Sequence, residues 1–318
     1  MKYIENNKKI YAIACGMVAS GYDLYTSMVG DIYNFAQDVA TLSLDAHVRE
    51  WFQKTKTGQV NVNPYWPRGH AVISAVFFVN ESGFDIDSFM KFFDESGITD
   101  PISKEDFLDW IAELPSMLAY MEEKAAGLWD RYCKLVEWLT DGYEPIINEA
   151  CKIAKDFFGK DTKELLFAPN PLYSLYATDF VRIGNKIIVI GLSCDVESML
   201  HESLHVEVAK YRDKISAFTI EHWHGNFADT AKMIDLGYIN HQAITHVDDY
   251  KPAYARVIEE CFVRGISTVL AGGGVRRLSV HANNGFGSVP AIGFFFEKLR
   301  PKAHDLGEFI THVLREFI

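Results

Sequence analysis

Residues 201–205 read His-Glu-Ser-Leu-His, and this pentapeptide constrains the fold more than any other stretch of the chain. Histidines four positions apart lie on one face of an α-helix, one turn apart, so a helix brings their imidazoles to a common point. The segment before it, residues 185–191, is apolar and β-branched through Ile187-Ile188-Val189-Ile190 and predicts a strand. A helix should follow, capped by Ser193, with Asp195 and Glu197 in a first turn where the helix dipole favours negative charge, and should run to about Arg212. On it His201 and His205 share a face with Leu204 and Val208, so the pair is built against the core.

The chemistry this pattern suits is metal binding. Two imidazole nitrogens one helical turn apart can take adjacent corners of a tetrahedral Zn²⁺, and Glu202 between them is free to act as a base. Such a carboxylate accepts a proton from a water whose pKa the metal lowers to about 7 and hands it to a leaving amine. The plain alternative is a core histidine pair satisfied by hydrogen bonds; the intervening Glu and the helical setting favour the metal.

A catalytic zinc needs a third protein ligand and keeps one position open. The extension H-E-x-x-H-x-x-G-x-x-H would require Gly at 208 and His at 211, where this chain has Val208 and Tyr211. Glu259 and Glu260 fall on a helix expected over residues 252–270, whose apolar stripe runs through Tyr254, Val257, Cys261 and Gly265. At about 100° per residue Glu260 borders that stripe and Glu259 points away, which makes Glu260 the expected ligand. Its plain alternative is a helix-surface carboxylate paired with Arg256 or Arg264, each pair worth ~0.2–0.5 kcal/mol. Arg264 is also placed to orient Glu260 or compensate its charge. Histidines compete for the third position: His222, His224, His241, His246 and His281 all lie in the second half, with His224 and His246 favoured by their loop-like surroundings. The same histidines, with Tyr238, Tyr250 and Tyr254, are candidates to donate to a developing oxyanion. Cys194, seven residues before His201, is expected in the core or at the helix start.

Composition bounds the classes. With 318 residues, 48 % of them hydrophobic, the chain can bury one large core or two moderate ones. Its net charge of −12 divides into −9 over residues 1–160 and −3 over the rest. That balance, without a basic patch, argues against a nucleic-acid partner. Five widely spaced cysteines with no C-x-x-C pair predict neither a disulfide framework nor a thiolate zinc cluster, and point to a reducing, cytoplasmic setting. No apolar run approaches the ~20 residues of a membrane span, so no membrane partner is expected. Residues 10–16, after two lysines, look faintly like a lipoprotein signal, but too few apolar residues precede Cys15 for the ~7–15 of a secretory core, and a first core element is expected instead.

Along the first half, apolar spacing predicts helices over residues 22–39, 45–54, 107–114, 116–139 and 143–158, loops over 56–68 and 94–104, and a strand over 71–79. From residue 163 short β-like runs appear at 165–168, 173–183 and 186–190, with turns at 169–171 and 184–185. Further helices are expected over 226–236, 252–270, 290–299 and 306–317. Gly272-Gly273-Gly274 breaks this series and is no phosphate loop, since Val275-Arg276-Arg277 follows. The expected class is α+β: a mostly helical region 1–160, then a domain 161–318 in which a small sheet leads into the motif helix and a helical C-terminal part.

His201-Glu202-x-x-His205 with Glu260 on a later helix resembles the gluzincin group of zinc metallopeptidases, in which a strand-bearing subdomain leads into the motif helix and a helical part supplies the glutamate. The stretch Glu260-Cys261-Phe262-Val263-Arg264-Gly265, with the helical N-terminal region, looks closer to uncharacterised bacterial members than to thermolysin itself. The likeness covers roughly residues 161–270. It implies a zincin-like domain, Zn²⁺ on His201, His205 and Glu260, Glu202 as catalytic base, and a peptide or protein substrate. One departure stands out. Thermolysin-like proteins carry an acid four residues after the ligand glutamate to orient the first histidine, and this chain has Arg264 there; Glu197, one turn before His201, is a substitute or simply a first-turn acid. Two other readings stay open here, a zinc-stabilised binding or regulatory protein and an amidase with the same constellation, and oligomeric state is left open.

Overall fold

Helices dominate the chain, and three short strands follow the first run of them, so the fold is α+β. The structure is a computed structural model describing residue 4 and residues 7–22, 30–56, 67–96, 104–173, 178–222 and 250–317. The first helices are α1 (Lys8–Ala19), α2 (Asp31–Ala40), α3 (Ala46–Gln53) and α4 (Pro67–Ala75). A minimal hairpin, β1 (Val79–Asn80) and β2 (Gly83–Phe84), precedes α5 (Ile86–Ser96), α6 (Lys104–Ile111), α7 (Leu114–Lys124), α8 (Trp129–Thr140) and α9 (Tyr143–Phe158). Then come β3 (Glu164–Pro169), β4 (Thr178–Ile183) and β5 (Lys186–Gly191). The second set of helices is α10 (Val196–Val208), α11 (Arg212–Glu221), α12 (Tyr250–Leu270), α13 (Val275–Asn283), α14 (Val289–Leu299) and α15 (Leu306–Phe317).

The chain divides into two compact units that interleave in sequence and do not part at residue 160. One holds Met1–Gly58, Pro64–Ile147 and Leu165–Cys194; the other holds Gln59–Asn63, Asn148–Glu164 and Asp195–Ile318. The strands therefore group with the first unit and the motif helix with the second.

In the first unit α1 is the central element. Every residue from Ile10 to Ala19 is buried, and α2, α3, α4 and α7 pack around it. A helix apolar on all sides is stable only when enclosed, so the residues that look faintly like a signal core are a core helix. Asn7 starts it, its Oδ1 accepting from the amides of Lys9 (3.0 Å) and Ile10 (3.2 Å). Trp51 and Trp110 lock α3 to α6: their rings stack at 4.9 Å and each indole N–H donates to the other's carbonyl oxygen.

Several expectations in this half need correction. The helix expected over 22–39 is non-helical at Tyr22 and at Gly30, whose φ is 71°, and α2 begins at Asp31. Residues 71–79 do not form a strand: α4 continues to Ala75, a 3₁₀ turn covers Val76–Phe78, and only Val79–Asn80 pairs. Residues 71–76 are all buried, and a continuous apolar run carries no period to separate helix from strand. The long helix expected over 116–139 is two, α7 and α8, parted by a 3₁₀ turn at Ala126–Leu128 that contains Gly127.

The sheet has the order β3-β5-β4. Strands β4 and β5 form an antiparallel hairpin from Ile183↔Lys186 to Thr178↔Gly191. Its two-residue turn, Gly184-Asn185, uses a positive φ of 55° at Gly184, the conformation such turns demand. β5 lies between its neighbours with residues 187–191 buried, hence its unbroken apolar sequence. No described helix is long and apolar enough to cross a membrane.

Candidate metal centre

The motif helix begins two residues later than Ser193 would place it. Asp195 is the N-cap: its backbone is extended and its Oδ1 accepts from the Ser198 amide at 2.6 Å. The α-helix ends at Val208, where a 3₁₀ turn, Ala209–Tyr211, leads into α11. Met199, Leu200, Leu204 and Val208 are fully buried and fix the rotation of α10, leaving His201 and His205 half-buried on the neighbouring face.

What they face is α12. This helix packs against α10, α11, α13 and α14, so its burial is distributed around the axis and not along one stripe. Glu260 does border the core as expected. Glu259 does not point to solvent: it is 8 % exposed and takes a two-pronged ion pair from Arg212 of α11, Nε to Oε2 at 2.8 Å and one Nη to Oε1 at 2.9 Å. A single apolar stripe cannot be read off a helix with neighbours on several sides, which is why the sequence reading misplaced Glu259.

His201, His205 and Glu260 come together. The two Nε2 atoms are 3.1 Å apart, with the rings at 85°. His201 Nε2 lies 3.5 Å from Glu260 Oε1 and His205 Nε2 lies 3.5 Å from Oε2. One donor atom from each residue lies within 4.8 Å of the others. With metal–donor bonds of about 2.0–2.1 Å, a tetrahedron separates its donors by about 3.3 Å, and each of these pairwise distances is close to that, with the two imidazoles facing different oxygens of Glu260. Two imidazoles and one carboxylate could hold a divalent metal ion.

Electrostatics suit the same role. Burial lowers the His201 pKa, with Glu260 opposing and His205 and Arg264 adding to the shift, so the ring stays neutral down to about 3. A metal needs that neutral form. Burial alone would raise the Glu260 carboxyl, but the Arg264 guanidinium and the two imidazoles outweigh it and hold it at about 2. Arg264 Nε lies 2.7 Å from Glu260 Oε1 across one helical turn, a close ion pair without good hydrogen-bond alignment at Nε. Glu202, the expected base, is 4 % exposed on α10.

Other sequence candidates are placed elsewhere. Glu197 does not hydrogen-bond His201. Its Oε1 accepts from Thr268 Oγ1 (2.8 Å) and His281 Nε2 (2.9 Å), and its Oε2 from Arg277 Nε (2.9 Å). His222 stacks on Phe218 and bonds that residue's carbonyl at the end of α11. Cys194 is buried, in no disulfide, and grouped with the first unit. Tyr254 is half-buried on α12. His224, His241, His246, Tyr238 and the helix expected over 226–236 lie outside the described residues. The sequence reading missed the role of α13, whose Arg277 and His281 converge on Glu197; the signal was available as a short amphipathic run after the triple glycine.

No family model, curated protein or solved structure matches the chain.

Proposed function

We propose that the chain is a zinc-dependent hydrolase that cleaves peptide bonds, with His201, His205 and Glu260 holding the metal and Glu202 as base. The observation that supports this reading is the convergence of His201, His205 and Glu260, one donor atom of each within 4.8 Å of the others, on two helices whose rotation the core fixes. A bound Zn²⁺ would polarise the scissile carbonyl and acidify a water. Glu202 takes a proton from the attacking water and returns it to the leaving nitrogen, so the C–N bond breaks as the amine departs and the new C–O bond completes the carboxyl group, whose remaining proton passes to the amine to leave carboxylate and ammonium.

Metal analysis of the purified protein tests the site before any substrate is known. Wild type and Glu202→Gln are expected to carry about one zinc each, while His201→Ala and His205→Ala lose it. Cleavage of a peptide library should disappear in Glu202→Gln, by roughly a hundredfold or more in kcat, on the usual scale of general-base removal. Equal metal content in both histidine variants and wild type would overturn the assignment.

A further inference from the structure

Glu260 is held by more than its helix. The Arg264 guanidinium that pairs with it is itself 19 % exposed at the side chain and lies over the face of the buried Phe286 ring, 4.1 Å from the centroid. On its far side Arg264 Nη1 lies 3.4 Å from His281 Nδ1. His281 is 7 % exposed, and its other nitrogen, Nε2, is 2.9 Å from the Glu197 carboxylate. A carboxylate only accepts, so Nε2 carries the proton, and in the neutral ring Nδ1 is left as a bare acceptor aimed at Arg264. Glu197 is fixed in turn by Thr268 of α12 and Arg277 of α13. Three helices thus converge on one carboxylate, and a chain of contacts leads from it through His281 and Arg264 to the oxygen of Glu260 that faces His201.

We infer that Arg264 is the positioning residue of the metal centre: clamped by Phe286 and by the His281–Glu197 pair, it holds Glu260 in ligand geometry. This rests on the metal reading above and deepens it. An unrestrained glutamate has three side-chain torsions, and a carboxylate in a metal-free pocket would otherwise turn toward whatever donors it finds. Arg264 removes that freedom before the ion arrives, which is the task an outer partner performs for a metal ligand. The planar fork matters as well as the charge, because it must face Glu260 on one side and His281 on the other, which an ammonium cannot do in a fixed plane.

Titration of the purified protein with Co²⁺ alone, followed by its visible absorption, reads both affinity and coordination without any substrate. Arg264→Gln is expected to weaken Co²⁺ binding by roughly 10- to 100-fold and to change the band shape. Arg264→Lys, keeping the charge without the fork, should recover only part of the affinity. Arg212→Gln is the control: it breaks the neighbouring pair between Arg212 of α11 and Glu259 of α12, and should lower thermal stability while leaving Co²⁺ affinity and spectrum as in wild type. The inference is overturned if folded Arg264→Gln binds within twofold of wild type with the same spectrum, or if Arg212→Gln loses as much affinity as Arg264→Gln. A wild-type protein that gives no Co²⁺ spectrum would remove the metal reading itself, a result distinct from either.

Discussion

A half-buried carboxylate that stays ionised needs several donors, and Glu197 has three. Burial by itself raises its carboxyl, but hydrogen bonds from His281 and Thr268 and the Arg277 guanidinium prevail and hold it at about 2, below the ordinary 4.5. A folded-state value below the unfolded one means the stabilisation is complete above about pH 4.5 and drains away as pH falls toward 2. Glu197→Gln should therefore flatten the acid limb of stability in that window, which urea midpoints at pH 6, 4 and 3 will show; an unchanged slope would count against the network. Single residues of the site were legible wherever one helix fixes their relation, as for His201 and His205. Glu260, expected as the ligand, lies beside both histidines, but the stripe that separates it from Glu259 is an incomplete reason, since Glu259 is buried too. His281 was only one name among several histidines, because its partner, Glu197, lies 84 residues away in sequence and nothing in either local pattern joins them.

At the scale of elements, the position of α12 depends on close contact with α14. A Cβ placed on Gly265 would stand 2.9 Å from Ile292 Cγ2, 3.1 Å from its Cβ and 3.3 Å from the Gly293 amide nitrogen. The β-branched Ile292 and the backbone cannot turn aside, so the helices would have to part. Alanine is the better helix former by about 1 kcal/mol, while overpacking costs roughly 1–3 kcal/mol. Gly265→Ala is thus expected to be net destabilising, by up to about 2 kcal/mol. Gly293→Ala meets chiefly the terminal methyls of Leu278, at 2.7 and 2.8 Å, which can rotate away. It should be close to neutral, and thermal melts of the two variants will test the contrast. The elements legible in sequence were those with one buried face or a clear turn, such as α9, α14, α15 and the β4–β5 hairpin. α4 was mistaken because its apolar run is continuous, and α7–α8 were merged because both share helical spacing across an interruption of three residues.

For the molecule as a whole, all three donors and the clamp behind them belong to the second unit, from residue 195 onward. The first unit has its own core, gathered around α1, and contributes no described residue to the donor cluster. A ligand that binds only the folded site stabilises by mass action, about 2.7 kcal/mol at a free concentration one hundred times its dissociation constant. That stabilisation reaches the segments whose opening would disperse the donors, because opening them must first release the ion. Zinc added to metal-free protein should therefore slow amide hydrogen exchange in α10 and α12 by up to roughly a hundredfold, the same free energy expressed as a rate. Exchange in α1 and α7 of the first unit should change far less, since they open without disturbing the site. With a net charge of −12 the protein also attracts divalent ions to its surface generally, and Mg²⁺ at the same concentration controls for that, as it favours oxygen ligands in octahedral geometry. Slowing confined to α10 and α12 and specific to Zn²⁺ is the expected pattern; equal slowing in both units, or equal effects of Mg²⁺, would place the ion somewhere other than between His201, His205 and Glu260.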